Sequence, residues 1–415
     1  MDWASLLITA VKIIGFTFMV IMPLVAYSTY AERRVAAIIQ DRVGPNRVGL
    51  PLTLFGARKD LNFFGLVQPL ADGLKGLFKE DLTPAHVRKS FYWLAPAFTV
   101  VPAFITLCVI PFGSEITVFG RNVQLVIADI GVGPLFIFAI ASLSVYGITL
   151  AGWSSNSKYP FFGGVRSCAQ MISYEIALGL SIIPVLMVFG KLNLTDIVAH
   201  QAAHGWLLLP LWGDGLSLQN WLLLIPLGIS FVVFTTSIFA ETNRMPFDLP
   251  ECETELVGGY HTEYSSMKFA LFFMGEYAAM IVGSALIVTV FFGGWSLGFG
   301  LDHALLQNAD GDWKWFAGFI HFGVFLAKTI AFILFFIWVR WTVPRFRYDQ
   351  LMKLGWVVFF ELALFNIFLA ALIIAAPHLG AVKTIFIGVP TLLLVAAIMF
   401  FITLSAEGKS KVRPT

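Results

Sequence analysis

Charge is scarce in this chain. Only 13% of its 415 residues are Asp, Glu, Lys or Arg, about half of the ~25% usual for soluble globular domains. The 27 basic and 25 acidic residues leave a formal net charge of +2, so the strongly basic face that nucleic-acid binding requires is missing. Cysteine is scarcer still. Cys108, Cys168 and Cys252 are scattered, with no C-x-x-C pair and no histidine at metal-ligand spacing. That pattern encodes neither a zinc site nor a local iron–sulfur cluster. Of the seven histidines only His321 falls inside a clear apolar stretch, whereas a bis-histidine haem needs a matched pair at membrane depth. The sequence therefore offers no redox centre of its own.

Apolar residues fill the space that charge leaves: 58% of the chain is hydrophobic, with 41 Phe and 12 Trp. Burial on folding saturates near three quarters of the surface even in large soluble proteins, so a soluble enzyme could not hide this much apolar area. A disordered protein and a secreted disulfide scaffold are excluded on the same ground. The expected fold class is all-α, a polytopic transmembrane helical bundle. A helix needs roughly 20 apolar residues to cross the hydrocarbon core. A window of that length marks spans near 6–30, 94–112, 133–152, 169–190, 221–240, 269–292, 317–340 and 355–376, with a ninth C-terminal span at 382–404. The first is too long for a cleaved signal peptide, and its basic flank follows it; it reads as an uncleaved anchor.

Basic residues set the orientation. With the N-terminus outside, segments 31–93, 153–168, 241–268, 340–354 and the tail hold 21 of the 27 Lys and Arg, against four (Arg121, Lys191, Lys314 and Lys383) on the opposite side. The ninth span keeps Lys409, Lys411 and Arg413 on the basic side. Residues 61–80 place Phe64, Val67, Leu70, Leu74 and Leu77 on one helical face, which predicts an amphipathic helix at the cytoplasmic interface; 41–60 reads as an ordered loop.

Ionisable groups at membrane depth are costly and mark function or pairing. Glu175, Glu276, Lys328 and Glu361 lie within spans, and Glu32 and Glu241 lie where spans one and five reach the cytoplasmic edge. Lys12 is close enough to the outer end to snorkel. Lys328, nearer mid-span, is expected to pair with an interior acid, and Glu361 serves equally well as a structural partner for a neighbouring helix. The densest cluster, residues 240–264, carries Glu241, Asp248, Glu251, Glu253, Glu255 and Glu263 against one base, Arg244. Crowded carboxylates in a poorly solvated place raise one another's proton affinity, the chemistry of a proton relay. The bland alternative is a solvated acidic loop that binds a basic partner; Pro246, Phe247, Leu249, Pro250, Leu256, Val257 and Tyr260 make it too apolar for that.

Four cytoplasmic segments carry a family resemblance: AERRVAAIIQDRVGPNRVG (31–49) with LVQPLADGLKGLFKED (66–81); GWSSNSKYPFFGGVRSCAQMISYE (152–175); AETNRMPFDLPECETELVGGYHTEYSSMKFALFFMGEY (240–277); and WVRWTVPRFRYDQLMKLGW (338–356). They resemble the NuoH/ND1 family, the membrane subunit of the proton-pumping NADH:quinone oxidoreductase, respiratory complex I. The resemblance makes residues 1–376 the family-like membrane domain, with about eight core spans, and 377–415 a C-terminal extension. It implies a quinone (ubiquinone or menaquinone) as substrate, with no covalently bound cofactor. Iron–sulfur clusters and FMN belong to partner subunits. Those partners are the iron–sulfur subunit at the quinone site, its large hydrophilic neighbour, and small membrane subunits leading to antiporter-like ones. The implied location is a bacterial inner membrane.

Carried over residue by residue, the resemblance puts Glu32, Arg33, Arg34, Ala71, Asp72, Lys75, Arg340, Arg345 and Arg347 around the quinone chamber. Glu175, Glu241, Arg244, Asp248, Glu251, Glu253, Glu255, Glu263 and Glu276 fall on the proton-coupling path. The chain departs from the family pattern at Cys252 and Thr254, where Gly and Ser are common, in a longer 50–63 segment, and in the ninth span. Two other readings remain open from sequence. One is a homologous membrane subunit of a hydrogenase-, ferredoxin- or F420-linked redox complex, whose members diverge most at GPNRVG and AETNRxPFDL. The other is an autonomous ion transporter, which would need broken helices or an inverted repeat.

Overall fold

The computed structural model describes residues 3–49, 64–118, 121–209, 218–249, 258–307, 313–379, 390 and 393. Among these residues eight helical stretches are long and apolar enough to cross a bilayer. The first is built from α1 (Trp3–Gly15), a π-helical turn over Phe16–Ile21, and α2 (Met22–Ile39). The short α3 (Gln68–Phe78) follows, then α4 (Lys89–Leu107). The third span joins α5 (Gly133–Ala141) to α6 (Leu143–Ser154), and the fourth is the long α7 (Lys158–Phe189). After the short α8 (Leu194–His204) come α9 (Leu218–Glu241), α10 (Ser266–Phe291) and α11 (Ala317–Thr342). The last span comprises α12 (Tyr348–Lys353), a π-helical segment Leu354–Phe359, and α13 (Phe360–Leu379).

Each of the eight core spans expected from hydropathy coincides with one of these helices, but the ends move. Helix α7 starts at Lys158 rather than near 169. Its first turns hold Gly163, Gly164 and Arg166, too polar for a hydropathy window. They are helical because they pack on α6: a Cβ on Gly152 would meet the Pro160 carbonyl oxygen at 2.6 Å and Gly164 Cα at 3.2 Å. Helix α4 stops at Leu107, and the apolar residues after it form turns. The ninth span at 382–404 lies outside the described residues except for positions 390 and 393.

Helix α10 is the axis of the bundle. Its second half is apolar and continuously buried from Met280 to Phe291, as an all-round apolar helix must be when helices surround it. It packs on α4, α11, α2, α8 and α9. Hydrophobicity alone does not drive helices together in lipid, so small residues that let backbones approach matter more. Thr99 of α4 sits where this happens. A Cβ on Gly147 of α6 would lie 2.8 Å from the Thr99 amide nitrogen, and one on Gly275 of α10 would lie 3.0 Å from Thr99 Cγ2.

An all-α reading misses one element. Strands β1 (Glu115–Val118) and β2 (Arg121–Gln124) pair antiparallel after α4, with Glu115 opposite Gln124 and Val118 opposite Arg121. Beside it lies a buried polar knot. The Asp302 carboxylate accepts from Ser296 Oγ at 2.6 Å and the Leu297 amide at 2.9 Å, with His321 Nε2 at 3.2 Å; His321 Nδ1 lies 2.7 Å from Ser114 Oγ. Burial works to raise the Asp302 proton affinity, yet these donors together hold it below the usual carboxylate range. The expected pairing of Lys328 with an interior acid is met only at a distance: the buried Asp302 acts on it through space, but its direct partners are backbone carbonyls. Its ammonium donates to the carbonyls of Phe292, Gly294 and Ser296 at 2.8, 3.0 and 2.6 Å and sits over the Trp206 ring. It thus satisfies carbonyls freed at the end of α10, where a cation also meets the negative end of the helix dipole. Lys12 donates to the Val126 carbonyl at 3.0 Å, which is the structural role expected of it.

The amphipathic segment forms α3, with Leu70, Leu74, Leu77 and Phe78 exposed along it. Tyr30 donates to the Phe64 carbonyl at 2.8 Å before it, and Ser266 Oγ to the Gly76 and Lys79 carbonyls at 3.0 Å each at its end. The helix is therefore tied to both α2 and α10.

Candidate functional site

The site forms where the end of α2, the first half of α10, the end of α11 and the turn after α9 converge. Gln170, fully buried in α7, shapes that turn. Its amide donates to the carbonyls of Ala240 at 2.8 Å and Phe247 at 2.9 Å, across the end of α9. Asn243 adopts φ 50 and bends the chain back, a conformation that Asn tolerates better than most residues. The Arg244 amide returns to the Phe239 carbonyl at 3.1 Å, and its side chain enters the bundle, 3% exposed.

Arg244 lies between two carboxylates. Its Nη1 donates to Glu32 Oε2 at 3.1 Å, its Nε is 2.8 Å from Glu276 Oε1, and its guanidinium rests 4.1 Å from the centre of the Tyr277 ring. Glu32, 5% exposed, also accepts from the Tyr277 hydroxyl at 2.6 Å and from Arg340. Two acids and two guanidiniums thus balance in charge, which is what makes them tolerable away from water. Alongside, Arg345 is 3.4 Å from Asp248, and the Phe346 amide donates to the Pro246 carbonyl at 3.2 Å. These contacts tie the segment after α11 to the turn after α9.

Two spaces flank the cluster. The larger is a cleft of about 950 Å³ between α2, α3 and α10, walled mainly by apolar side chains such as Val25, Phe273, Met274 and Trp341. Glu32, Tyr277 and Arg340 reach its wall, and Arg33, Asp72 and Lys75 stand on it too. Arg33 and Asp72 pair at 2.6 Å across α2 and α3, half-exposed. This volume is at the upper end of the ~300–1,000 Å³ typical of small-molecule sites. The smaller is an internal pocket of about 80 Å³ between α4, α6, α7, α9 and α10, whose polar lining includes Thr99, Glu241, Thr242, Asn243, Tyr260 and Glu276. Successive helix residues point about 100° apart. Tyr277 therefore reaches the cleft while Glu276 reaches the pocket, and Arg244 contacts both of these side chains.

The residues singled out from sequence divide accordingly. Glu32, Arg33, Asp72, Lys75 and Arg340 line the cleft. Glu241 and Glu276 line the inner pocket, and Glu175 of α7 is near enough to Glu241 for the two carboxylates to interact. Arg34 instead donates to the Val43 carbonyl and supports the loop after α2. Ala71 lies on α3 but off the cleft wall, and Arg347 is exposed at the start of α12. Glu263 sits in the turn before α10, where its carbonyl accepts from Tyr92 at 2.6 Å; Glu361 is buried at the start of α13. Glu251, Glu253 and Glu255 lie outside the described residues. Sequence reasoning missed Tyr277, Gln170 and Asn243. Only Tyr277 carried a signal, a polar ring beside a mid-span acid.

The fold and site define a class: a multi-pass helical membrane protein in which a charge-balanced cluster lies between an apolar cleft and a smaller, mainly apolar pocket that two carboxylates reach. Over residues 11–371 the sequence matches the family model described as NADH dehydrogenase. It is 47% identical over 354 residues to an NADH-quinone oxidoreductase subunit of Geobacter metallireducens, covering 85% of this chain and 93% of that one. It is 45% identical over 381 residues to the corresponding subunit of Leptospira biflexa, and 47% identical over 376 residues to that of Rickettsia bellii; each match covers 90% of this chain and 96% of the relative. The chain belongs to the NADH dehydrogenase family of membrane subunits.

Proposed function

We propose that this chain is the NuoH/ND1-type membrane subunit of a proton-translocating NADH:quinone oxidoreductase, that its cleft forms the membrane side of the quinone chamber, and that its buried cluster couples quinone reduction to proton movement. The chain carries no redox centre in this reading. Electrons reach the quinone from an iron–sulfur subunit docked on the basic cytoplasmic face, and the N-terminus lies outside. The names of its relatives favour this over a hydrogenase- or ferredoxin-linked complex.

The observation that carries the proposal is the position of Arg244, bonded at once to Glu32 on the cleft side and to Glu276 on the pocket side. Reducing a quinone adds two electrons and takes up two protons. Arg340 and Arg33 are permanently charged donors suited to an anionic reduced headgroup. Negative charge appearing beside Glu32 competes for the guanidiniums that Glu32 shares. At an effective permittivity of about 20, a unit charge at 4 Å is worth about 4 kcal/mol. That is close to three decades in a protonation equilibrium. Arg244 hands this change to Glu276, which shares the inner pocket with Glu241; Glu175 lies next. The pocket has room for a few waters between these acids, so a proton can pass among them, toward the small membrane subunits.

Photoaffinity labelling with an azido-quinone tests the ligand half of the proposal. The expected marks fall on α2 and on residues 267–277 of α10 and disappear with excess quinone. Labelling of the assembled complex that spares both helices would overturn it.

A further inference from the structure

One corner of the bundle collects cations and no acids. It lies where α6 ends and α4 and α7 begin, and Tyr264, just before α10, ties it to the end that holds the charge cluster by hydrogen bonds to Ser154 and to the Tyr92 carbonyl. The Arg88 amide donates to the Ser154 carbonyl at 2.9 Å, and Asn156 Nδ2 donates to the His86 carbonyl at 3.2 Å. These bonds bring Arg88 and Lys89, at the start of α4, beside Lys158, the first residue of α7. All three are exposed, and none forms an ion pair with a described residue. Other cations at this end are spent on acids: Arg33 on Asp72, Lys268 on Asp81 and Arg345 on Asp248. Here the sequence supplies none, because residues 82–114 and 130–174 contain neither Asp nor Glu.

Apolar side chains continue from this corner down the outside of the bundle. The Arg88 guanidinium rests 4.2 Å from the centre of the Trp153 ring, and Phe91 meets that ring edge-on at 5.4 Å. Below Phe91, Leu94, Val101 and Ile105 are exposed on α4; below Trp153, Tyr146 and Leu143 are exposed on α6. Both sets have the spacing of one helical face. The Phe91–Trp153 contact joins the two stripes at the top, and beneath it Gly147 of α6 keeps the helices in close contact at Thr99. From Leu94 to Ile105 the helix rises about 16 Å, close to the depth of one leaflet of a ~30 Å hydrocarbon core.

We propose that Arg88, Lys89 and Lys158 hold the phosphate of an acidic phospholipid of the phosphatidylglycerol class, with an acyl chain lying along the stripes of α4 and α6. Arginine meets phosphate with paired donors, and lysine adds a point charge on a flexible stem. With Arg88 face-on to Trp153, its N–H edges stay free for the phosphate. Basic flanks alone set topology, and aromatic rings alone mark the membrane interface; the apolar track one leaflet deep beneath them is what makes a binding place. A zwitterionic headgroup brings a cation of its own, which meets no acid at this corner. An acidic protein segment would neutralise the cations but leave the track unfilled. The site is independent of the quinone reading.

The test uses the assembled complex in phosphatidylcholine nanodiscs that contain phosphatidylglycerol with a photoactivatable acyl chain. Label is expected on residues 91–105 and 143–153, reduced by unlabelled phosphatidylglycerol but not by the same amount of added phosphatidylcholine. Arg88→Gln, Lys89→Gln and Lys158→Gln are each expected to lower the labelling about fivefold, with NADH:quinone turnover at the native rate as the check on assembly. Labelling that spares both stripes, whether a neighbouring subunit covers them or the lipid sits elsewhere, would overturn the proposal. So would equal competition by phosphatidylcholine, or undiminished labelling in all three variants.

Discussion

Replacing Glu32 by Gln probes the cluster where it is most heavily bonded. The substitution keeps the shape of the side chain but removes the charge shared by Arg244, Arg340 and the Tyr277 hydroxyl. All three donors converge on a group 5% exposed, so water does not replace what is lost. Removing one member of a buried ion pair costs about 3–5 kcal/mol. Tyr277→Phe removes one charge-assisted hydrogen bond and should cost about 1.5–3 kcal/mol. The assembled complex should therefore melt several degrees lower in Glu32→Gln, and by less in Tyr277→Phe. Membrane vesicles should also show fewer protons moved per NADH oxidised in Glu32→Gln. If Glu32→Gln melts and pumps like the native enzyme, the cluster is neither a structural nor a coupling centre.

The exposed Arg33–Asp72 pair should behave differently: Asp72→Ala is expected to cost at most about 1 kcal/mol of stability, as solvent-screened pairs do, while raising the KM for quinone, measured in reconstituted complex. His261 provides a pH readout. Burial pushes its imidazole down to about 4, below its unfolded value of ~6.5. The folded turn at 258–265 therefore excludes the proton, so this contribution to stability is complete above about pH 6.5 and is lost as pH falls toward 4. The protection factors of that turn's amides, which correct for the pH dependence of intrinsic exchange, should fall between pH 7 and pH 5, and His261→Phe should flatten the response.

The eight core spans were legible because each is a run of apolar residues longer than any soluble core needs. Their ends were less so: the start of α7 is fixed by glycine contacts with α6, which hydropathy does not register. The acids of the site could be picked out as charges at membrane depth. Which acid meets which base could not, since Glu32 and Arg340 are joined only by packing of the first and seventh spans. For Lys328 the same reasoning found only half the answer: Asp302 acts on it through space, but its direct partners are backbone carbonyls, invisible as a sequence signal. Tyr277 was overlooked because one tyrosine among many aromatics looks like packing until its hydroxyl is placed on a carboxylate.

The most direct measurement is the proton-to-electron ratio of Glu276→Gln complex reconstituted in vesicles, with NADH:quinone turnover followed in the same sample. Glu276 touches Arg244 and the inner pocket but does not line the cleft, so the account predicts continued quinone reduction with fewer protons delivered per electron pair. A native ratio at native turnover would contradict it.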